Sequence, residues 1–138
     1  MYLNLALHYE AQEQGSTPFT PAVQVYAAFD EALNELLEEG VRNRAERYAR
    51  CAQLIREGLQ TLGVKSVLSA EQQSNSISAF YVPEAITYQD LHDRLKERGY
   101  IIYAGQGHLS EKIFRIANMG ALTQANFEGF LSAFKEVV

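Results

Sequence analysis

One cation stands in the middle of the apolar run Lys112-Ile-Phe-Arg-Ile-Ala-Asn-Met-Gly120, and its type and setting give it the best claim to chemistry in the chain. That cation is Arg115. The run reads as a strand, in which successive side chains turn to opposite faces, so Phe114 and Ile116 share one face while Arg115 lies with Ile113 and Ala117 on the other. One face is expected to be core and the other to line a cleft. A guanidinium is always charged and costly to bury alone, and its planar fork matches a carboxylate or phosphonate through two parallel hydrogen bonds. Arg115 is therefore expected to hold an anionic ligand. The strand alone leaves open an edge-strand arginine paired with an internal Glu, or one simply solvated.

Other chemistries find less support. His8, His92 and His108 are far apart and form no i, i+4 pair with a carboxylate, so neither a zinc site nor a catalytic histidine is expected. Gly105-Gln-Gly107 lacks the third glycine and the strand-helix-strand setting of a dinucleotide fingerprint, and no Walker-type glycine-lysine sequence occurs. Its local reading is a tight, hairpin-like turn, with a ligand loop as the alternative. No serine sits in a nucleophile elbow. Glu31, Glu35, Glu38 and Glu39 read as a solvated helix face. The single cysteine, Cys51, falls on the inward side of a predicted helix and reads as a small core residue.

Composition narrows the function classes. The 138 residues are 47% hydrophobic and 21% charged, enough for one globular domain with its own core and too few for a second. A net charge of -5, with no Lys/Arg run, argues against a nucleic-acid partner. Apolar runs fall well short of the ~20 residues that cross a bilayer, and Met1 opens no signal-type segment, so a cytoplasmic protein without a membrane partner is expected.

The elements that must position Arg115 can be read in order. Residues Met1 to Gly15 suggest an amphipathic helix with no evident cap, and Ser16-Thr-Pro-Phe-Thr-Pro21 an irregular linker in which Thr20 reads as the N-cap of the next helix, with Pro21 at its first position. Helices are expected from Pro21 to Glu39, closed by Gly40, and from Val41 to Leu62, closed by Gly63. Whether these two form one bent helix or an antiparallel pair is left open. The period then changes: Val64 to Leu68 is a short strand candidate and Ser76 to Val82 a clearer one. Thr87 to Asp90 caps a helix that ends at Gly99. Strands follow at Tyr100 to Ala104 and Ile113 to Ala117, then a terminal helix from Leu122 to Val138 packing Phe127, Leu131 and Phe134. The fold class is α+β, a small, largely antiparallel sheet with one face on the helices 41–62, 88–98 and 122–138.

Three stretches, Thr17-Pro-Phe-Thr-Pro-Ala-Val-Gln24 leading into a long helix, Tyr103-Ala-Gly-Gln-Gly107 and Phe114-Arg-Ile-Ala-Asn-Met-Gly120, together resemble the C-terminal part of class V pyridoxal-phosphate aminotransferases. The nearest flavour is the 2-aminoethylphosphonate:pyruvate and alanine:glyoxylate or serine:pyruvate branch. The resemblance spans essentially the whole chain in order and spacing. It implies that Arg115 grips the substrate carboxylate, and that Thr20 and Thr17 reach the cofactor phosphate of the neighbouring subunit in a homodimer. It also implies that residues 1–20 are a helix and linker left over from a large domain and that 21–138 are the small domain. Amino-acid and 2-oxo-acid substrates and pyridoxal phosphate would belong to the complete enzyme.

Transamination needs a lysine that bonds covalently to the cofactor and shuttles a proton. Lys65, Lys96, Lys112 and Lys135 do not sit in the family's serine- and glycine-rich lysine setting, so the chain is expected to be a fragment that neither retains the cofactor nor transaminates alone. Two alternatives stay open: a regulatory module in which Arg115 senses a small molecule, and a subunit-contact domain without catalysis.

Overall fold

The computed structural model describes residues 2–138 as two compact units, one ending at Val41 and the other running from Arg42 to Val138. The first unit holds α1 (Leu5–Glu13) and α2 (Val23–Glu39). Contrary to expectation α1 is capped: the side-chain oxygen of Asn4 accepts the Ala6 N–H at 3.1 Å, satisfying one of the orphan donors of its first turn. Met1, included in the expected helix, lies outside the described residues. Thr20 is not the cap of α2. The Val23 N–H turns back to the Pro21 carbonyl at 2.9 Å, so the helix starts two residues later than expected, with Ala22 in the cap position and no side-chain bond. Gly40, at φ 84°, ends α2 as expected, since a side chain there would be strained. Neither helix buries a residue.

In the second unit α3 (Val41–Thr61, entered from the last residue of the first) buries Ala52, Ile55 and Leu59 of the stripe that its periodicity marks from Val41 to Leu62, whereas Val41 and Ala45 at its start are exposed; Cys51 is a small core residue as read. Gly63 at φ 80° closes it: its N–H reaches the Gln60 carbonyl, and the Val64 N–H reaches that of Leu59 at 3.0 Å. Three strands follow, β1 (Ile77–Tyr81), β2 (Tyr103–Ala104) and β3 (Ile113–Ala117), ordered β1-β3-β2 and antiparallel throughout. Between β1 and β2 lies α4 (Tyr88–Glu97), capped as expected by Thr87, whose hydroxyl accepts the Asp90 N–H at 3.1 Å. After β3 comes α5 (Gln124–Val137), opened by a reciprocal capping box between Thr123 and Asn126. The α+β class with a small antiparallel sheet holds. One face of the sheet, through Phe80, Phe114 and Ile116, joins a core completed by α3, α4 and α5.

Two expected strands fall short. Val64 to Leu68 makes only a bridge, Ser66 opposite Phe80, before the chain turns into a 3-10 helix at Ala70–Gln72. Tyr100 to Ala104 shrinks to Tyr103–Ala104, because the Tyr100 N–H is spent on the Leu95 carbonyl closing α4 beyond Gly99, and Ile102 is buried. No described helix is long and apolar enough to cross a membrane.

Asn118, fully buried just past β3, bolts the strand to its neighbours. Its side-chain amide donates to the Tyr48 carbonyl of α3 at 3.0 Å and to that of Asn75 at 2.8 Å, while its Oδ1 has no partner. Removing the amide breaks two internal hydrogen bonds, each worth about 0.5–1.5 kcal/mol. Asn118→Ala should accordingly lower the urea midpoint with the slope unchanged; a loss under about 0.5 kcal/mol would mean that water replaces the amide.

Candidate functional site

Arg115 sits at the centre of the middle strand, opposite Ala79 of β1 and Tyr103 of β2, so these three side chains share the face turned away from the core. The neighbouring Phe114 is fully buried between Phe80 and Phe134, at ring separations of 5.5 and 5.7 Å, and this fixes which way the strand faces. Arg115 is half-buried and Tyr103 is 61% exposed, so the tyrosine marks the open side of this face. The guanidinium is anchored at one point: its Nε donates to the Ala104 carbonyl at 2.9 Å. Among the described residues no carboxylate lies in ion-pair range of Arg115, so the internal Glu partner that the sequence left open is missing. The two terminal nitrogens are left to face a ligand or water, in the fork geometry that suits a carboxylate or phosphonate.

The glycine turn shapes the ground beside this fork. Gly105 donates its N–H to the Ile113 carbonyl at 3.0 Å, and a Cβ there would run into the backbone carbonyl of Leu109 and the side chain of Ile113. Glycine is demanded by close approach. Gly105-Gln-Gly107 is not the tight hairpin-like turn of the local reading: it opens a longer loop that winds through a 3-10 turn, Gly107–Leu109, before β3. Ile113 is buried although it shares its face with Arg115, and Gly105 lies close against its side chain.

Tyr88, which sequence reasoning passed over as an ordinary helix residue, belongs to the same neighbourhood. Its hydroxyl donates to the Ile102 carbonyl at 3.2 Å. Burial pushes its phenol above the ordinary range, opposed by hydrogen bonding from the Ala104 backbone and by the positive field of Arg115. The only signal in the sequence was an aromatic directly after an N-cap threonine.

Thr17 and Thr20 belong to the first unit, whereas Arg115 belongs to the second. The Thr17 hydroxyl donates to the Phe19 carbonyl at 2.8 Å, and both threonines line a cavity of about 320 Å³ with Tyr2, His8, Phe19 and Tyr26. No lysine or arginine lines it, so it offers an anion hydroxyls without a countercharge. A larger cavity, about 750 Å³, lies beside Arg56. Arg56 donates to the Ser78 hydroxyl at 3.0 Å and to the Ser74 carbonyl, and burial pushes its pKa down; these bonds make it a clamp between α3 and the approach to β1. Among the described residues no group of His, Cys, Asp or Glu could hold a metal.

Gly105→Ala tests the turn. The added methyl meets backbone, which cannot rotate away as a side chain can, so a loss of roughly 1–3 kcal/mol is expected with amide shifts confined to 104–113. An unperturbed midpoint in chemical denaturation would show that the turn yields freely.

No family model matches the chain. It is 37% identical over 123 residues to an uncharacterized aminotransferase of Methanocaldococcus jannaschii, covering 86% of this chain and 31% of that protein. It is 34% identical over 139 residues to a 2-aminoethylphosphonate–pyruvate transaminase of Phocaeicola vulgatus, covering 98% of this chain and 38% of that one. Among solved structures, an aspartate aminotransferase of Thermus thermophilus superposes with a TM-score of 0.84 at 31% identity, over 99% of this chain and 38% of that one. An alanine–glyoxylate aminotransferase of Nostoc, at 23% identity and a TM-score of 0.86 over 98% of this chain and 36% of that one, shares the fold.

Proposed function

We propose, for a chain whose relatives are class V aminotransferases and which spans about a third of their length (31% and 38% for two of them), that it works as the C-terminal domain of a pyridoxal-phosphate-dependent aminotransferase. The complete enzyme would move an amino group between an amino acid or aminophosphonate and a 2-oxo acid. Residues 1–20 would then be a helix and linker belonging with the large domain, and 21–138 the small domain. The observation that carries this reading is Arg115, a fork anchored through Nε alone, with both terminal nitrogens free of partners among the described residues.

Each part of the chain would have a limited task. Arg115 binds the substrate's carboxylate or phosphonate by two directed hydrogen bonds and thereby orients the carbon that exchanges its amino group. Tyr103, opposite it on the same face, bounds the space the substrate occupies. Thr17 and Thr20 present hydroxyls to the cofactor phosphate of the partner subunit in a homodimer. They fit that role only as part of a cradle, since their cavity holds no cation to neutralise a phosphate. The cofactor supplies an electron sink for the bond changes at the substrate carbon. None of the four lysines lies in the family's covalent setting or lines the threonine cavity, so the chain alone would not transaminate.

The test uses the enzyme that contains this chain. Arg115→Lys replaces a fork with a point charge and should lower kcat/KM for the amino donor about ten- to a hundredfold, the worth of a charge-assisted hydrogen bond of ~1.5–3 kcal/mol, while cofactor absorbance stays. Thr20→Ala should do the reverse, weakening cofactor retention in dialysis with a smaller effect on donor discrimination. An unaltered kcat/KM in Arg115→Lys would return Arg115 to a solvated surface cation.

A further inference from the structure

The sheet order leaves β2 on an edge, with β3 as its single neighbour and only two residues in the ladder. So short an edge strand would fray unless something holds its other side. Antiparallel pairing turns the backbone groups of alternate residues toward and away from the partner strand. Gly105 N–H faces β3, since it bonds the Ile113 carbonyl at 3.0 Å. The polar groups of Ala104, and of Ile102 two residues earlier, therefore face the outer edge. Two side chains meet them there. The Tyr88 hydroxyl donates to the Ile102 carbonyl at 3.2 Å, and the Arg115 Nε donates to the Ala104 carbonyl at 2.9 Å.

From this juxtaposition we infer that Tyr88 is a positioning residue for Arg115: its hydroxyl fixes the edge segment Ile102–Ala104, and so the carbonyl that aims the guanidinium outward. The ring is itself held. Tyr88 is the first residue of α4, directly after the Thr87 cap, and it packs against the core cluster with the His92 ring 5.9 Å away. The rigid start of a capped helix thus sets the strand edge, and the edge sets the arginine. A guanidinium pinned only at Nε keeps one strong constraint on its plane, and loosening that carbonyl releases the plane to rotate. Nothing else among the described residues competes for the terminal nitrogens, so the aim of the fork depends on this one contact. The inference rests on the reading of Arg115 as an anion holder for its purpose, although the relay from Tyr88 to the Nε–H stands without any ligand.

The experiment uses the full chain and reads the Arg115 Nε–H directly by nitrogen-15 NMR, first alone and then during titration with methylphosphonate. Tyr88→Phe keeps the ring and removes the hydroxyl. Hydrogen exchange at the Arg115 Nε–H should then quicken about fivefold or more, the fold-change expected for one neutral hydrogen bond, with amide shifts confined to 102–104 and 115, and methylphosphonate should bind several-fold more weakly. Tyr103→Phe, which loses an exposed hydroxyl from the same strand, should leave the exchange rate alone. An unchanged exchange rate in Tyr88→Phe overturns the inference, and so do amide shifts spread across the whole second unit, which would make Tyr88 a general packing residue. The Arg115 reading fails separately: Arg115→Lys would then bind methylphosphonate as well as the unaltered chain does.

Discussion

Phe114 stacked between Phe80 and Phe134 is the constraint on which the rest of the second unit depends. A buried aromatic trio of this kind removes several hundred Å² of apolar surface from water by the usual areas of these side chains, and the ring pairs add directional preference to that burial. Because Phe114 must point into the core, strand geometry turns Arg115 outward. The core residue thus orients the candidate one. The same contact fixes register, since Phe80 stands directly opposite Phe114 across the β1–β3 ladder, and a slip by one residue would exchange the two faces.

The outward face is then finished with polar contacts made by backbone. Arg115 reaches the Ala104 carbonyl, Gly105 reaches the Ile113 carbonyl, and Tyr88 reaches the Ile102 carbonyl, so the smallest strand of the sheet and the residue on each side of it take part in every one of these bonds. No carboxylate of the described residues neutralises the guanidinium. The fork is thus held by its stem, and its terminal nitrogens have no partner among the described residues. The first unit is built on a different principle, two helices that bury none of their residues and leave Tyr26, Phe29 and Leu37 exposed.

Legibility in the sequence followed the strength of the local signal. The faces of β3, the stripe of α3 and the Thr87 cap were plain because each rests on a period or a cap that tertiary context had no reason to override. The boundaries were lost where backbone groups found unexpected partners: the Tyr100 N–H closes α4 instead of extending β2, and the Val23 N–H returns to Pro21 instead of letting Thr20 cap α2. Asn4 escaped notice as a cap because Met1, Tyr2 and Leu3 before it are apolar and read as part of the same helix. The place of Arg115 was legible, but its anchor was not, since a bond to a carbonyl eleven residues away leaves no trace in composition. Tyr88 and Asn118 were hidden for the same reason: their partners lie 14 to 70 residues away in sequence.

The claim that Arg115 exists to hold an anionic substrate group is tested most directly by a crystal structure of the cofactor-loaded enzyme containing this chain, soaked with a substrate analogue that binds but cannot react. The analogue's carboxylate or phosphonate is expected on the two terminal nitrogens of Arg115, with the Nε bond to Ala104 kept. An analogue bound with its anion on other residues, and Arg115 facing solvent, would contradict it.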